Sequence, residues 1–361
     1  MTSEPVTLSV IVPFHRNLAH LRRCLAALNI AREAVRPSAV PEIIVVADGA
    51  SEDPRTLVSE AGAALVTIDG PSGPAVARNR GAAAASGDVL IFVDSDVTVG
   101  EQALARFAEL CAAQPQVSAA FGAYDEQPDD PGFVSQGKNL AHSFIHRRAP
   151  GEAYTFWGGL GAVRADVFKR VGGFDERFRR PSVEDIDLGY RIRAAGHRIV
   201  LDPSIQGRHL KRWTLRSALV SDVRDRGIPW TQLLRRYGGL HNHLNLTIRY
   251  RACVITAYAL VICLTLAVRW PILLAAGAGA ATALWWLDRP YYQFLTSRRG
   301  IMFTLAWFPL HIVHHLSNGV SFVAGTMLYA SRRWVGLALP GALPLTPWSG
   351  FVMQPPTKRT R

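Results

Sequence analysis

Val89-Leu90-Ile91-Phe92-Val93-Asp94-Ser95-Asp96 is the most informative run in this chain. Five apolar residues in a row, without polar alternation, suit a strand covered on both faces, as in a parallel sheet. The run delivers two carboxylates at its C-terminal edge. Charge placed against a buried strand is costly unless it binds something, and ligands of open α/β sheets sit outside the carboxyl ends of the strands. Paired aspartates there can hold Mg²⁺ or Mn²⁺ against a diphosphate, and the ion offsets charge building on a leaving nucleotide. Alone, two alternate aspartates are a common surface feature, so the surroundings must carry the case.

Upstream, Leu8-Ser9-Val10-Ile11-Val12 is a short apolar run stopped by Pro13, and Asn17 can cap a helix whose Leu18, Leu21, Leu25 and Leu28 share a face. Glu42–Ala47 reads as a second strand ending at Asp48-Gly49, and Ala64–Ile68 as a third. Asp69-Gly70-Pro71-Ser72-Gly73-Pro74 is a turn, followed by a small-residue helix over about 75–85. Strands alternate with helices at short spacing, which predicts an α/β fold with a largely parallel sheet flanked by helices over residues 1–205. Asp48, Asp94 and Asp96 all fall at carboxyl ends of its strands. From Pro131 to about Ile205 the pattern is mixed and rich in glycine and aromatics.

The 361 residues are 49% apolar and carry a net charge of +12. The uncharged stretches lie almost entirely after residue 251. Arg208–Arg216, Arg224–Arg226, Arg235–Arg236 and Arg249–Arg251 gather basic residues just ahead of them, as a cytosolic, headgroup-facing collar would. No nucleic-acid-binding motif accompanies the charge, so nucleic acid is not expected as a partner. Residues 206–250 read as basic amphipathic helices, lying in a membrane interface or packed on the front domain. Ala252–Val268 and Trp270–Leu287 are uncharged and separated by Arg269. At ~1.5 Å per residue each covers about 25 Å, near the ~30 Å hydrocarbon thickness, which predicts a transmembrane hairpin. Ile301–Ala330 is a third uncharged segment of a membrane region over 251–331, and a basic tail occupies 332–361. Its His311, His314 and His315 place two imidazoles on one helix face, too few ligands for a metal by themselves. The four cysteines lack metal-ligand or redox spacing, which suits a reduced cytosol. The polar Met1-Thr2-Ser3-Glu4-Pro5 offers no signal-peptide pattern.

Six motifs occur in order: Ser9-Val10-Ile11-Val12-Pro13-Phe14, Val45-Val46-Ala47-Asp48-Gly49-Ala50-Ser51, Ala77-Arg78-Asn79-Arg80-Gly81, Val93-Asp94-Ser95-Asp96, Val171-Gly172-Gly173-Phe174-Asp175 and Glu184-Asp185-Ile186-Asp187-Leu188. As an ordered set over about residues 8–200 they resemble the family 2 glycosyltransferases, whose fold is called GT-A. The resemblance implies an inverting transfer from a nucleotide-sugar donor. Pro13, Asp48, Arg78 and Asp94 then lie on the nucleotide side, Asp94 and Asp96 hold Mg²⁺ or Mn²⁺, and Asp185 is the catalytic base. The family has two acidic residues before the glycine at position 49, and here Ala47 takes the first. Asn79 reads as a packing residue.

His209-Leu210-Lys211-Arg212-Trp213 is similar to the Gln-x-x-Arg-Trp signature of processive polysaccharide synthases, with His209 in the glutamine position. With Glu184, the residues His209, Arg212 and Trp213 are thereby assigned to the acceptor or diphosphate side. An inverting displacement needs one carboxylate as general base for the acceptor hydroxyl, and Glu184 and Asp187 beside Asp185 can raise its pKa. The expected acceptor is a glycolipid or lipid-linked saccharide, with a polyprenyl phosphate as the alternative, at an inner or cytoplasmic membrane with the catalytic domain in the cytosol. Two rivals are a nucleotidyltransferase, which would carry a Gly-rich basic loop where Pro13-Phe14-His15-Arg16-Asn17 stands, and an inactive membrane scaffold.

Overall fold

The computed structural model describes residues 6–35, 40–238 and 242–346, arranged as two compact units. The reading of the N-terminus, and of the basic tail beyond residue 346, lies outside the described residues. One unit takes residues up to 130 and 149–212, and the other takes 131–148 and 213–346.

In chain order the first unit contains β1 (Leu8–Phe14), α1 (Leu18–Glu33), β2 (Glu42–Asp48), α2 (Arg55–Glu60), β3 (Ala64–Ile68), α3 (Pro74–Ala84), β4 (Val89–Val93), β5 (Val97–Val99), α4 (Ala103–Ala113) and β6 (Val117–Tyr124). After α5 (Phe133–Arg147), which belongs to the second unit, come β7 (Gly151–Ala153), β8 (Leu160–Arg164), α6 (Ala165–Arg170), α7 (Glu184–Ala194) and β9 (Arg198–His209). The strands form one sheet in the order β3-β2-β1-β4-β8-β6-β9-β5, with β7 on β9. β1 to β4 pair in parallel, and β8 runs antiparallel to both β4 and β6.

Every residue of β4 is buried, as its unbroken apolar run requires. Gly81 makes the α3–β1 contact possible, because a Cβ there would lie 2.4 Å from Ile11 Cγ2. Asn17 adopts a left-handed conformation and its side chain accepts the His20 N–H, capping α1 as expected. β1 continues through Pro13, where the sequence suggested a stop. Its pairing with β4 ends at Ile11, so the missing N–H of Pro13 removes no bond on that side.

The second unit is helical: α5, α8 (Leu215–Val220), a π-helical segment Ser221–Gly227, α9 (Ile228–Tyr237), α10 (Ile248–Leu266), α11 (Leu273–Leu287) and α12 (Arg289–Ala330). Gly300, at φ 83°, interrupts α12. α5 belongs here because Leu140 and Phe144 pack with Tyr291, Tyr292, Leu295 and Trp307. The expected catalytic domain, residues 1–205, includes 131–148. β9 instead runs to His209, since residues 207–209 pair with β5. α9 packs on α12 through small residues: a Cβ on Gly325 would lie 2.6 Å from Thr231 Cβ, and one on Gly227 would meet Ser321 Oγ. Among the described helices, α10 is the one long and apolar enough to cross a membrane, and α11 is apolar but shorter.

Candidate active site

Asp48, ending β2, directs its carboxylate into the next connection. Oδ1 accepts the Ser72 N–H at 2.8 Å and Oδ2 the Gly73 N–H at 2.7 Å. It thereby fixes the loop that opens α3, and Gly73 is required there because a Cβ would strike Arg179 O at 2.6 Å. Pro13 sits one strand over, opposite Val46, and is partly exposed.

Arg78, on α3, is the hub. Its Nη1 donates to Glu184 Oε1 at 2.9 Å and its Nη2 to Asp94 Oδ1 at 2.7 Å. The guanidinium lies 5.3 Å from the Phe174 ring centroid. Burial alone would lower its pKa, but Asp94, Glu184 and Asp185 outweigh that and hold it firmly cationic. Next to it, Asn79 clasps the backbone of Phe174: Nδ2 donates to the carbonyl and Oδ1 accepts the N–H, both at 2.9 Å. Asn79 is a packing residue, as read.

Asp94 and Asp96 occupy the link between β4 and β5. Desolvation raises the Asp94 pKa, opposed by Arg78 and helped by Asp96. Asp96 moves the other way: burial would raise it, but His209, Lys211 and His20 lower it. The antiparallel register sets Val97 opposite His209, which brings His209 Nε2 to 3.5 Å from Asp96 Oδ2. The imidazole stacks on Tyr124, with centroids 4.6 Å apart and planes 10° apart.

Asp185 lies in the first turn of α7, partly exposed. Its Oδ2 accepts the Gly158 N–H at 3.0 Å and its Oδ1 the Ile186 N–H at 2.8 Å. Gly158 is wedged between Arg78 and Asp185, 3.4 Å from each by the Cβ it lacks. The two acidic neighbours are committed elsewhere. Glu184 is buried between Arg78 and the Ser182 N–H. Asp187 accepts from Arg191 Nε at 2.8 Å, and that guanidinium also holds the Val171 carbonyl.

The structure therefore gathers Arg78, Asp94, Glu184 and Asp185 into one network, with Asp96 and His209 adjoining it. Asp48 and Pro13 lie along the neighbouring strand ends. Arg212 is an exposed side chain 4.0 Å from Asp130. Trp213 falls in the helical unit, where its backbone N–H donates to Ser135 Oγ and its ring faces Lys138 at 5.8 Å. Sequence reasoning assigned His209 through a motif analogy and missed its place beside Asp96. It also missed the Gly158 N–H, which carries no signal beyond the Gly158-Gly159 pair.

Comparison with known proteins follows the same lines. The family model described as Glycosyl transferase family 2 matches residues 9–172. One described as the N-terminal domain of galactosyltransferase matches residues 138–211. The chain is 30% identical over 236 residues to validoxylamine A glucosyltransferase of Streptomyces hygroscopicus subsp. limoneus, covering 54% of this chain and 49% of that one. It is 27% identical over 221 residues to pre-mycofactocin glycosyltransferase of Mycobacterium tuberculosis, covering 58% and 43%. The chain thus spans about half the length of the curated relatives it matches. The mannosyltransferase PcManGT from Pyrobaculum calidifontis, solved in complex with GDP-Man and Mn²⁺, superposes with a TM-score of 0.50 at 17% identity over 92% of this chain and 89% of that one. At that identity the likeness concerns the fold. With motifs in order along one GT-A-type sheet and the family model lying over the same strands, residues 9–172 are similar to the family 2 glycosyltransferases.

Proposed function

We propose that this chain transfers a sugar from a nucleotide-diphosphate donor to a hydroxyl of a membrane-held glycolipid or lipid-linked saccharide, with inversion at the anomeric carbon. The observation that carries the reading is the approach of Asp185 to Asp94 through Gly158 and Arg78, which sets a candidate base beside the donor-side carboxylates.

Asp185 is the general base in this reading. Backbone N–H groups fix both of its oxygens in orientation, and it takes the proton of the acceptor hydroxyl as that oxygen attacks. Asp94, Asp96 and His209 offer an oxygen and nitrogen donor set that suits Mn²⁺ or Mg²⁺. Bound there, such an ion would neutralise charge on the departing diphosphate. The Mn²⁺ in the PcManGT complex supports a divalent ion. His209 thus serves the donor side, not the acceptor. Glu184 positions: it holds Arg78, which in turn fixes Asp94. Asp48 orders the Ser72–Gly73 loop beside Pro13, at the side read as nucleotide-binding.

Membrane attachment rests on α10 and on exposed apolar side chains along α10 and α11, Ile255 at 70%, Leu274 at 56% and Trp286 at 70% exposure. The basic residues just ahead of α10 support a catalytic unit on the cytosolic side under the positive-inside rule.

The test is transfer from labelled nucleotide sugars to extracted membrane lipids by wild type and Asp185→Asn, with and without chelator, followed by mild acid. An acid-stable product made only by wild type with metal is expected. An acid-labile sugar phosphate made equally by both proteins would overturn the hydroxyl acceptor in favour of a polyprenyl phosphate, which is already ionised and needs no base.

A further inference from the structure

We propose that Cys253, Asp288, His311 and His315 form a structural Zn²⁺ site inside the helical unit, separate from the donor-side carboxylates. His311 and His315 lie one turn apart on α12. Asp288 stands at the junction of α11 and α12, and Cys253 is on α10. One ligand atom each from Cys253, Asp288 and His315 come within 4.8 Å of one another, and all three residues are buried. His315 Nε2 is 3.1 Å from Asp288 Oδ2, and His311 Nε2 is 3.8 Å from the same oxygen. Bonds of about 2.0–2.3 Å from a central ion need ligand atoms spaced much like this, so small side-chain shifts complete a tetrahedron.

Chemistry selects the ion. One thiolate, one carboxylate and two imidazoles suit borderline-soft Zn²⁺ better than Mg²⁺, Ca²⁺ or Mn²⁺. Two anionic ligands also neutralise a divalent ion, which an apolar interior favours. A second observation points to a ligand. Asp288 is fully buried, yet its Oδ1 meets no hydrogen-bond partner, and His315 Nδ1 is likewise orphaned. The cation beside Asp288 is Arg249, whose Nε is 4.0 Å from Oδ1, beyond hydrogen-bond reach. Arg249 is one-third exposed and can turn outward. His311 Nδ1 pairs with the Tyr292 hydroxyl at 2.9 Å. With the tyrosine accepting, the Nε2 lone pair is left for a metal, the usual outer-shell arrangement. The site would staple α10 to both ends of the α11–α12 junction.

The full-length chain, purified in detergent without a histidine tag and dialysed against metal-free buffer, is measured by elemental analysis. One zinc per chain is expected, and the same count in Asp96→Asn, so the result does not depend on the donor-side metal. Replacing zinc with Co²⁺ should give a thiolate-to-cobalt charge-transfer band, lost in Cys253→Ser and kept in Cys263→Ser. Chelation should lower Tm by several degrees, restored by Zn²⁺ and not by Mn²⁺. A wild-type chain that holds no zinc and gives no thiolate band with Co²⁺ overturns the site and leaves Asp288 balanced by Arg249 and the histidines alone. That reading uses wild type only, so it stands even where the Cys253 variant misfolds.

Discussion

In the sheet unit Val10, Ile11, Val45 and Ile91 are wholly buried, and the charged Arg78, Glu184 and Asp187 enter the interior only as ion pairs. In the helical unit Ile255, Ile272, Trp286 and Met302 are each at least 70% exposed, while Asp288, Thr304, His315 and Ser321 lie inside. The sheet unit follows the rule for a domain in water, where apolar burial drives folding and buried charge must be paired. The helical unit inverts the outer half of that rule. Apolar side chains facing outward suit a lipid-facing surface, and polar groups between helices act as interhelical glue.

The largest effect that can break this contrast is catalytic. Asp185→Asn should lower kcat by about 10²–10⁴-fold, the range for losing a general base, with donor affinity nearly unchanged. Asp96→Asn should abolish transfer while calorimetry shows the fold intact. Full activity of either variant, or activity in excess chelator, would remove the site from the sheet unit.

Next comes the buried network. Arg78→Met strands Asp94 and Glu184, and removing one partner of a buried pair costs about 3–5 kcal/mol. Chemical denaturation should register that loss in the sheet unit. A loss below about 1 kcal/mol, the surface-pair range, would mean that water reaches the network.

Two glycines then compare the units directly. A Cβ at Gly81 would sit 2.4 Å from Ile11, and one at Gly137 would sit 2.3 Å from the Trp307 ring. Each Gly→Ala should cost about 1–3 kcal/mol by overpacking, the first in the sheet unit and the second in the helical one. Equal loss at both sites within a single cooperative transition would show that the units do not unfold separately.

The smallest effect on stability belongs to the outer helix face. Ile255→Thr in detergent should change stability by no more than about 0.5 kcal/mol, as surface sites do. Full-length protein recovered in the soluble fraction without detergent would end the membrane assignment. Truncation after about Arg249 should yield a detergent-free catalytic unit only if Leu140 and Phe144, which pack against Tyr291 and Trp307, are also made polar. Solubility without those changes would show that α5 does not depend on the deleted helices.

The sequence by itself determined what short-range pattern can determine. Apolar runs marked β2, β3 and β4 nearly to the residue, Asn17 announced the cap of α1, and Asp48 and Asp94 fell at strand ends because runs of that kind end in charge. The ordered motifs carried the resemblance to the family 2 glycosyltransferases over about residues 8–200. Tertiary structure alone decided which distant groups meet. The antiparallel β5–β9 pairing, far apart in sequence, carried His209 to Asp96. Arg78 drew Glu184 into the interior, although its spacing beside Asp185 is that of an exposed helix start. α5 left the catalytic unit because its apolar face matches aromatic residues that lie much later in the chain. His311 and His315, too few by themselves for a metal, met Asp288 and Cys253 only when α10, α11 and α12 came together, while His314 turned to Asp222. Periodicity reports on neighbours within a turn or two of chain, whereas a site is set by side chains whose approach depends on the packing of whole elements.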